Sequence, residues 1–336
     1  MFTIETNYSL KSHNTFGLDV RTERYIKLND IEDIREVLHN KAICKKPILV
    51  LGGGSNILFS KDFEGTVLHP NLNNIEIASE TKEDIYLRVG AGVCWDRLVE
   101  FCVSNGWGGI ENLSLIPGNV GAAPVQNIGA YGIEAKDTIV SVKGLYINNG
   151  KPFVFDNASC EFGYRDSIFK NKLRRRAIIT HVSFRLSKQP KFVTHYGNIE
   201  EELKKYSEVN LKSIRSAIID IRRRKLPDPK DLGNAGSFFK NPVVTAFKAA
   251  KLIQKYPQIP TYPNANGVKL SAAWLIEQCG WKGKKIGNVG MYQDQALIMV
   301  NYGNAKAEEL TCLSNAIQES VKKTFGVKVE PEVNFV

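Results

Sequence analysis

The stretch Ile116-Pro-Gly-Asn-Val-Gly-Ala-Ala-Pro-Val-Gln-Asn-Ile-Gly-Ala-Tyr-Gly132 carries no charged side chain and is rich in glycine, alanine and proline. Surface loops seldom have this make-up. A segment that gives up charge and bulk over such a length is pressed against something flat and large, such as a cofactor. A second glycine loop lies upstream, where a predicted strand, Ile48 to Leu51, runs into Gly52-Gly53-Gly54-Ser55-Asn56. By itself it reads equally as a glycine turn after a strand. It is not a P-loop, because no Gly-Lys-Ser/Thr follows, nor a Rossmann fingerprint, because Ile57 stands where the third glycine belongs. Small side chains at both places let backbone N–H groups approach a phosphate. Two such loops in one chain imply an extended ligand with a diphosphate.

The 336 residues, 43% hydrophobic and 24% charged, have the make-up of an ordinary globular protein. Single cores stop growing at about 250 to 300 residues, so the length points to two or three domains. Met1 to Leu10 has no basic segment followed by an apolar one, and no apolar run reaches the roughly 18 residues of a membrane span. A cytoplasmic protein without membrane attachment is expected. Cys44, Cys94, Cys102, Cys160, Cys279 and Cys312 form no Cys-x-x-Cys pair, have no His at metal spacing, and read as reduced core thiols. No metal site is expected. The net charge of +10 favours anionic ligands without choosing among nucleic acids, membranes and phosphorylated small molecules. The run Arg174-Arg175-Arg176 reads as a solvated face. Neither it nor Arg222-Arg223-Arg224-Lys225 is interleaved with aromatics as in single-strand binders, so no nucleic-acid partner is expected.

Asp30 is placed to cap a helix with Ile31, Ile34, Val37 and Leu38 on its apolar face. Further on come a strand Ile85 to Val89 and a helix with Trp95, Leu98, Val99 and Cys102 aligned, stopped by Gly106. From Ile139 to Leu186 the pattern is strand-rich, with an Asn149-Gly150 turn. A helix through Leu211, Ile214, Ile218 and Ile221 then leads to Lys225-Leu-Pro-Asp-Pro-Lys230, the best candidate linker. Beyond it are predicted a helix at Trp274 to Cys279, a strand at Gln295 to Asn301 and a helix from Asn304 to Phe325.

The segments Gly52 to Asn56, Ile116 to Gly132, Phe162-Gly-Tyr-Arg-Asp-Ser-Ile-Phe169, Lys225 to Lys230, Gly233-Asn-Ala-Gly-Ser-Phe-Phe-Lys-Asn-Pro242 and Glu330-Pro-Glu-Val333 occur in this order. Together they resemble the UDP-N-acetylenolpyruvoylglucosamine reductase (UDP-N-acetylmuramate dehydrogenase) family, type I branch. The resemblance runs from about Asn14-Thr-Phe-Gly17 to the C-terminus. It implies an α+β fold: two subdomains in the FAD-binding arrangement of the vanillyl-alcohol oxidase (PCMH) type, and a third α/β substrate-binding domain. The expected boundaries are 1–70, 71–224 and 225–326, with a last strand in 327–336 returning to the flavin core.

By the same resemblance, FAD would be held non-covalently by Gly52, Gly53, Gly54, Ser55, Asn56, Pro117, Gly118, Gly121, Ala122, Ala123, Gln126, Asn127, Gly129 and Tyr131, and NADPH would donate the hydride. The substrate would be the enolpyruvyl ether of a UDP-sugar, reduced to UDP-N-acetylmuramate by a monomeric protein, and contacted by Tyr164, Tyr196, Lys225, Asn241, Tyr262, Lys269 and Gln295. Tyr196, in Thr194-His-Tyr-Gly-Asn198, is similar to the tyrosine of the mobile substrate-covering loop. The turn Tyr292-Gln-Asp-Gln295 departs from relatives that carry a basic or imidazole side chain near its start.

The implied reaction leaves negative charge on a pyruvyl carboxylate in enolate form, which requires a fixed cation and an acid beside the carbon that gains the proton. Arg165 matches the first role, Ser237 the proton donor, and Glu332 a second group at the intermediate. By their residues alone, Arg165 beside Asp166 reads as a local ion pair, Ser237 as a buried serine bonded to backbone, and Glu332 as exposed. Two other activities compete: an oxidase of the same superfamily, which would consume O₂, and a regulator that binds UDP-sugars without turnover.

Overall fold

The computed structural model describes residues 2–40 and 42–336. The chain forms two compact units. The first comprises the residues before Ser9, Arg21–Gly53 and Glu64–Arg224; the second is assembled from Ser9–Val20, Gly54–Phe63 and Lys225–Val336.

The first unit contains a four-stranded sheet in the order Ile4–Ser9, Arg21–Leu28, Phe63–Pro70, Ile48–Val50, its last pair parallel. It is covered by the helix Ile31–His39, whose start is fixed by Asp30 accepting from the N–H of Asp33 at 2.7 Å. A five-stranded antiparallel sheet follows, in the order Pro152–Asp156, Ile139–Tyr146, Ala177–Ser187, Asp84–Gly90, Ile75–Glu80. Helix Trp95–Ser104 lies on one face of it, with Trp95, Leu98, Val99 and Cys102 packed among Ile85, Leu87, Val89, Val182 and Phe184.

One face of this sheet is apolar throughout, and around Leu145 and Ile178 the other face is apolar too; two bulges set which residues face which side. Between Lys143 and Gly144 the partner strand advances from His181 to Ile179. The extra residue reverses the alternation, so Ile179 joins Val182 and Phe184 while Ile178 turns to the opposite core with Ile26, Leu28 and Leu68. A second bulge at Val140 lets Ile139 and Val142 share a face. The helices Ile199–Leu203 and Leu211–Lys225 make a smaller core of their own.

The second unit has a four-stranded sheet, Gly233–Ser237, Ile298–Asn301, Val289–Met291, Lys285–Ile286, and a three-stranded one, Val243–Val244, Gly267–Leu270, Thr261–Asn264. Helices Ala246–Lys255, Ala272–Gln278 and Ala307–Phe325 accompany them. The N-terminal piece is bound in by Asn301, whose side chain donates to the carbonyl of Phe16 at 2.8 Å, and by the N–H of Asn234 bonded to the carbonyl of Thr15 at 2.9 Å. The last strand, Asn334–Phe335, pairs in parallel with Ile57–Leu58.

Three expectations change in detail. Residues Tyr292 to Gln295 are a turn and the strand starts only at Ile298, because the N–H of Tyr292 bonds the carbonyl of Ile298 across it at 2.8 Å. The helix Ala246–Lys255 and the three-stranded sheet were not foreseen. All six cysteines are free, but only Cys102 and Cys160 are core residues, whereas Cys94 and Cys312 are exposed. Among the described residues no helix is long and apolar enough to cross a membrane, and no cluster of His, Cys, Asp and Glu could hold a metal.

Candidate active site

In the first unit Gly52 and Gly53 lie in backbone contact with the glycine-rich stretch Ile116 to Gly132. A Cβ at Gly53 would sit 2.9 Å from both Gly118 Cα and Asn119 Oδ1, and one at Gly52 would touch Ala122 at 3.5 Å. No carboxylate occurs on either loop, and Pro117 and Ala122 are exposed. Such a shelf of main chain and small side chains fits a group that joins a diphosphate to flat rings. Gly54, with φ +63, completes the turn; a Cβ there would strike the carbonyl oxygen of His13 at 1.9 Å.

The glycine-rich stretch is held in conformations that its sequence resists. Leu115, Asn127, Tyr131 and Arg165 all have positive φ, at 59, 46, 50 and 55°. Left-handed backbone at such residues persists only where the surroundings over-determine it, and it concentrates at functional sites. The surroundings here are specific. Asn127 is buried and uses its whole amide: Nδ2 donates to Glu134 and to the carbonyl of Gly163, both at 3.0 Å, and Oδ1 accepts from the N–H of Lys136 at 2.9 Å. Ser167 Oγ donates to the carbonyl of Val125 at 2.7 Å. The Phe162 to Phe169 motif is thereby stitched to the loop.

Arg165 belongs to the same seam. Its Nη2 donates to the carbonyl of Gly129 at 2.5 Å, its guanidinium lies 5.5 Å from the centre of the Tyr164 ring, and Lys170 Nζ bonds its carbonyl at 3.0 Å. The neighbouring Asp166 carboxylate accepts from Asn171 Nδ2, at 2.9 and 3.0 Å. Tyr131 interacts through its hydroxyl with Arg222. Burial pushes that hydroxyl above the usual phenol range, against the pull of the Arg222 charge, and burial also holds the guanidinium below its ordinary value. Tyr196 is exposed, with its Cβ 3.5 Å from where a Cβ of Gly132 would lie.

In the second unit Ser237 ends its strand and is exposed, not buried. Gly236 before it has φ +68, and Asn234, itself buried, accepts from the Gly236 N–H at 2.9 Å and donates to the carbonyls of Leu232 and Pro227. Phe238 and Phe239, both fully buried, anchor the other side. The segments around Ser237 and Glu332 run side by side: the N–H of Glu332 bonds the carbonyl of Phe238 at 2.7 Å, Phe239 pairs with Pro331, and Lys240 N–H reaches Glu330 at 2.9 Å. Asn56 joins them, its Nδ2 donating to the Glu332 carbonyl at 3.3 Å. Glu332 is partly buried rather than exposed.

Tyr262 and Lys269 face each other across paired strands, the ammonium 5.7 Å from the ring centre. Asn241 Oδ1 accepts from the N–H of Ala272 at 2.9 Å, just before the strand that pairs with Lys269. Gln295 turns back on Leu297, whose carbonyl accepts from Phe238. Lys225, at the end of its helix, is exposed. Asn112, Asp96 and Arg215 were not singled out from sequence, and Arg222 only as the start of a basic run; each acts on a distant carbonyl or side chain.

Mixed sheets and helices carry two glycine-rich segments in backbone contact, the make-up of a protein that binds an extended diphosphate ligand. A family model for an FAD-binding domain matches residues 22–155, and one for the C-terminal domain of UDP-N-acetylenolpyruvoylglucosamine reductase matches 228–336. The UDP-N-acetylenolpyruvoylglucosamine reductase of Bacteroides fragilis is 48% identical over 334 residues, covering 99% of this chain and 100% of the relative. The solved structure of the Thermus caldophilus enzyme of that name aligns with TM-score 0.70 at 22% identity, over 100% and 99% of the two chains. That of 6-hydroxy-D-nicotine oxidase from Arthrobacter nicotinovorans aligns with TM-score 0.52 at 12% identity, over 97% and 86%. The fold is a mixed α+β one in which an FAD-binding domain is followed by the C-terminal domain of the reductase family. The chain belongs to the UDP-N-acetylenolpyruvoylglucosamine reductase family.

Proposed function

We propose that this protein reduces the enolpyruvyl ether of UDP-N-acetylglucosamine to UDP-N-acetylmuramate in the cytoplasm, as a monomer with NADPH as electron source and three domains divided at residues 70/71 and 224/225. The two glycine loops would hold FAD, which when bound supplies the hydride chemistry needed to carry electrons from NADPH to the terminal carbon of the enolpyruvyl group. The double-bond electrons then move onto the neighbouring carbon and into the carboxylate. Arg165 serves this charge, since a guanidinium stays ionised and grips a carboxylate through two N–H groups. Ser237 gives its hydroxyl proton to the carbon and recovers one from solvent, while Glu332 polarises the developing enolate. Tyr164, Tyr196, Lys225, Asn241, Tyr262, Lys269 and Gln295 bind the rest of the UDP-sugar.

The observation that carries this reading is the ribbon in which Glu332 N–H bonds Phe238, the residue after Ser237. It puts a donor and a carboxylate-bearing residue on adjoining backbone, with Ser237 presented by the left-handed Gly236. The decisive experiment is an absorbance spectrum of the purified protein, repeated after NADPH and again after the enolpyruvyl substrate. Bleaching by NADPH and recovery on substrate, without peroxide, are expected. A colourless protein that takes up no FAD, or recovery that needs O₂, defeats the reading.

A further inference from the structure

Residues 190–197 make one hydrogen bond among the described residues: the carbonyl of Val193 accepts from Asn112 Nδ2 at 2.8 Å. The same nitrogen donates to the carbonyl of Tyr131, also at 2.8 Å. Asn112 is fully buried in the short turn Glu111–Leu113. With both amide protons committed to carbonyls, the orientation of the amide is fixed by its partners. The two carbonyls belong to different segments. Tyr131 lies in the glycine-rich loop with φ 50°, and Val193 stands three residues before Tyr196 in a stretch that is otherwise mostly exposed. Gly132 keeps the contact close, since a Cβ there would fall 3.1 Å from Val193 Cγ1 and 3.5 Å from Tyr196 Cβ.

We infer that Asn112 is a positioning residue that latches the Tyr196 segment onto the glycine-rich loop, so that the cover over the UDP-sugar is seated by the conformation of the cofactor loop. The inference rests on the function proposed above in taking Tyr196 as that cover. Among the described residues no other side chain bonds this segment, and an amide is the one side chain of this size that can donate to two carbonyls without bringing a charge.

Trypsin digestion of the full-length protein without added cofactor tests the latch, with cleavage after Lys191 followed against cleavage after the distant Lys282 by mass spectrometry. In Asn112→Ala the Lys191/Lys282 ratio should rise on the order of tenfold, the change expected for losing about one buried hydrogen bond. Asn112→Asp keeps the volume but removes the donors, and should behave alike even if the alanine variant folds poorly. An unchanged ratio in both variants overturns the latch. In the FAD-loaded protein, reduction by NADPH should keep its wild-type rate, while KM for the enolpyruvyl substrate rises roughly tenfold with little loss in kcat. An unchanged KM overturns the positioning role. Absence of any turnover in the wild type would instead strike the proposed function and leave the cleavage ratio to judge the latch.

Discussion

The Asp96 carboxylate takes both ends of the Arg215 guanidinium, at 2.6 and 2.9 Å, and also accepts the N–H of Leu115 at 2.5 Å. Burial by itself would raise this carboxyl. The bonds from Arg215 and Leu115 outweigh it and hold Asp96 below the usual carboxylate range. One side chain therefore joins helix Trp95–Ser104 to helix Leu211–Lys225 and pins the residue that enters the glycine-rich loop with φ 59°.

Asp96→Asn should destabilise the protein by about 3 kcal/mol at neutral pH, because Arg215 is left partly buried without its counter-charge. A carboxyl lowered by folding contributes stability above its unfolded value of about 3.9, and loses it as pH falls through the folded value. The gap in Tm between wild type and variant should therefore shrink as pH falls from about 5 to about 3. Circular-dichroism melts at stepped pH measure this; a constant gap would mean that the charge of Asp96 is not what matters.

Ser237→Ala should separate the two half-reactions. Flavin reduction by NADPH needs no proton from Ser237 and should proceed normally. Re-oxidation by the enolpyruvyl substrate should slow by roughly 10²- to 10⁴-fold, the usual yield of general acid catalysis, with Ser237→Cys partly active. Stopped-flow absorbance reads both steps, and wild-type re-oxidation in Ser237→Ala would transfer the proton to Glu332, Lys225 or solvent.

Tyr196→Phe removes only a hydroxyl from an exposed ring, so folding and flavin content should not change. Affinity for the UDP-sugar should fall by about 1 kcal/mol, or roughly fivefold, for one lost hydrogen bond. Titration of the oxidised protein with substrate checks it, and equal affinities would return Tyr196 to ordinary packing.

Gly53→Ala brings a methyl group within 2.9 Å of Gly118 Cα, where backbone must yield. Overpacking of this kind costs about 1–3 kcal/mol. The strain falls where the two loops meet, so flavin retention through dialysis should drop before the melting temperature of the cofactor-free protein does. Full retention would separate this contact from cofactor binding. No histidine lies in either loop, so denaturation should release whatever flavin is retained.

Much of the fold was legible where the signal is local. Asp30 announced its helix through a side chain that caps it three residues on, and the alternation Val182, Phe184, Leu186 announced its strand. The same alternation misleads three residues upstream, because the bulge near Thr180 belongs to the pairing of two strands and leaves no mark on either alone. At the site, the bareness of Ile116 to Gly132 was visible, yet Leu115, Tyr131 and Arg165 are not residues from which left-handed backbone would be guessed. Asn112, Asp96 and Arg222 gain their meaning only from carbonyls and rings many residues away. Ser237, Arg165 and Glu332 were reached through family likeness; their own residues suggested a buried serine, a local ion pair and an exposed acid.

The second unit is sewn together from the two ends of the chain. Asn56 and Glu332, which share a hydrogen bond, are 276 positions apart, and Ser60 Oγ bonds the carbonyl of Val336 at 2.7 Å. On the ribosome, the pieces Ser9–Val20 and Gly54–Phe63 emerge early, and their bonds to the Lys225–Val336 segment form only after the whole of Glu64–Arg224 is made. Closing such distant contacts is slow, because the entropy of the loop is lost before the contacts form. Ser237 and its Glu332 neighbour thus take shape only after the intervening Glu64–Arg224 segment has been made. A fragment that begins at Lys225 would lack the strand Ile57–Leu58 and the Phe16 carbonyl on which its own sheets depend.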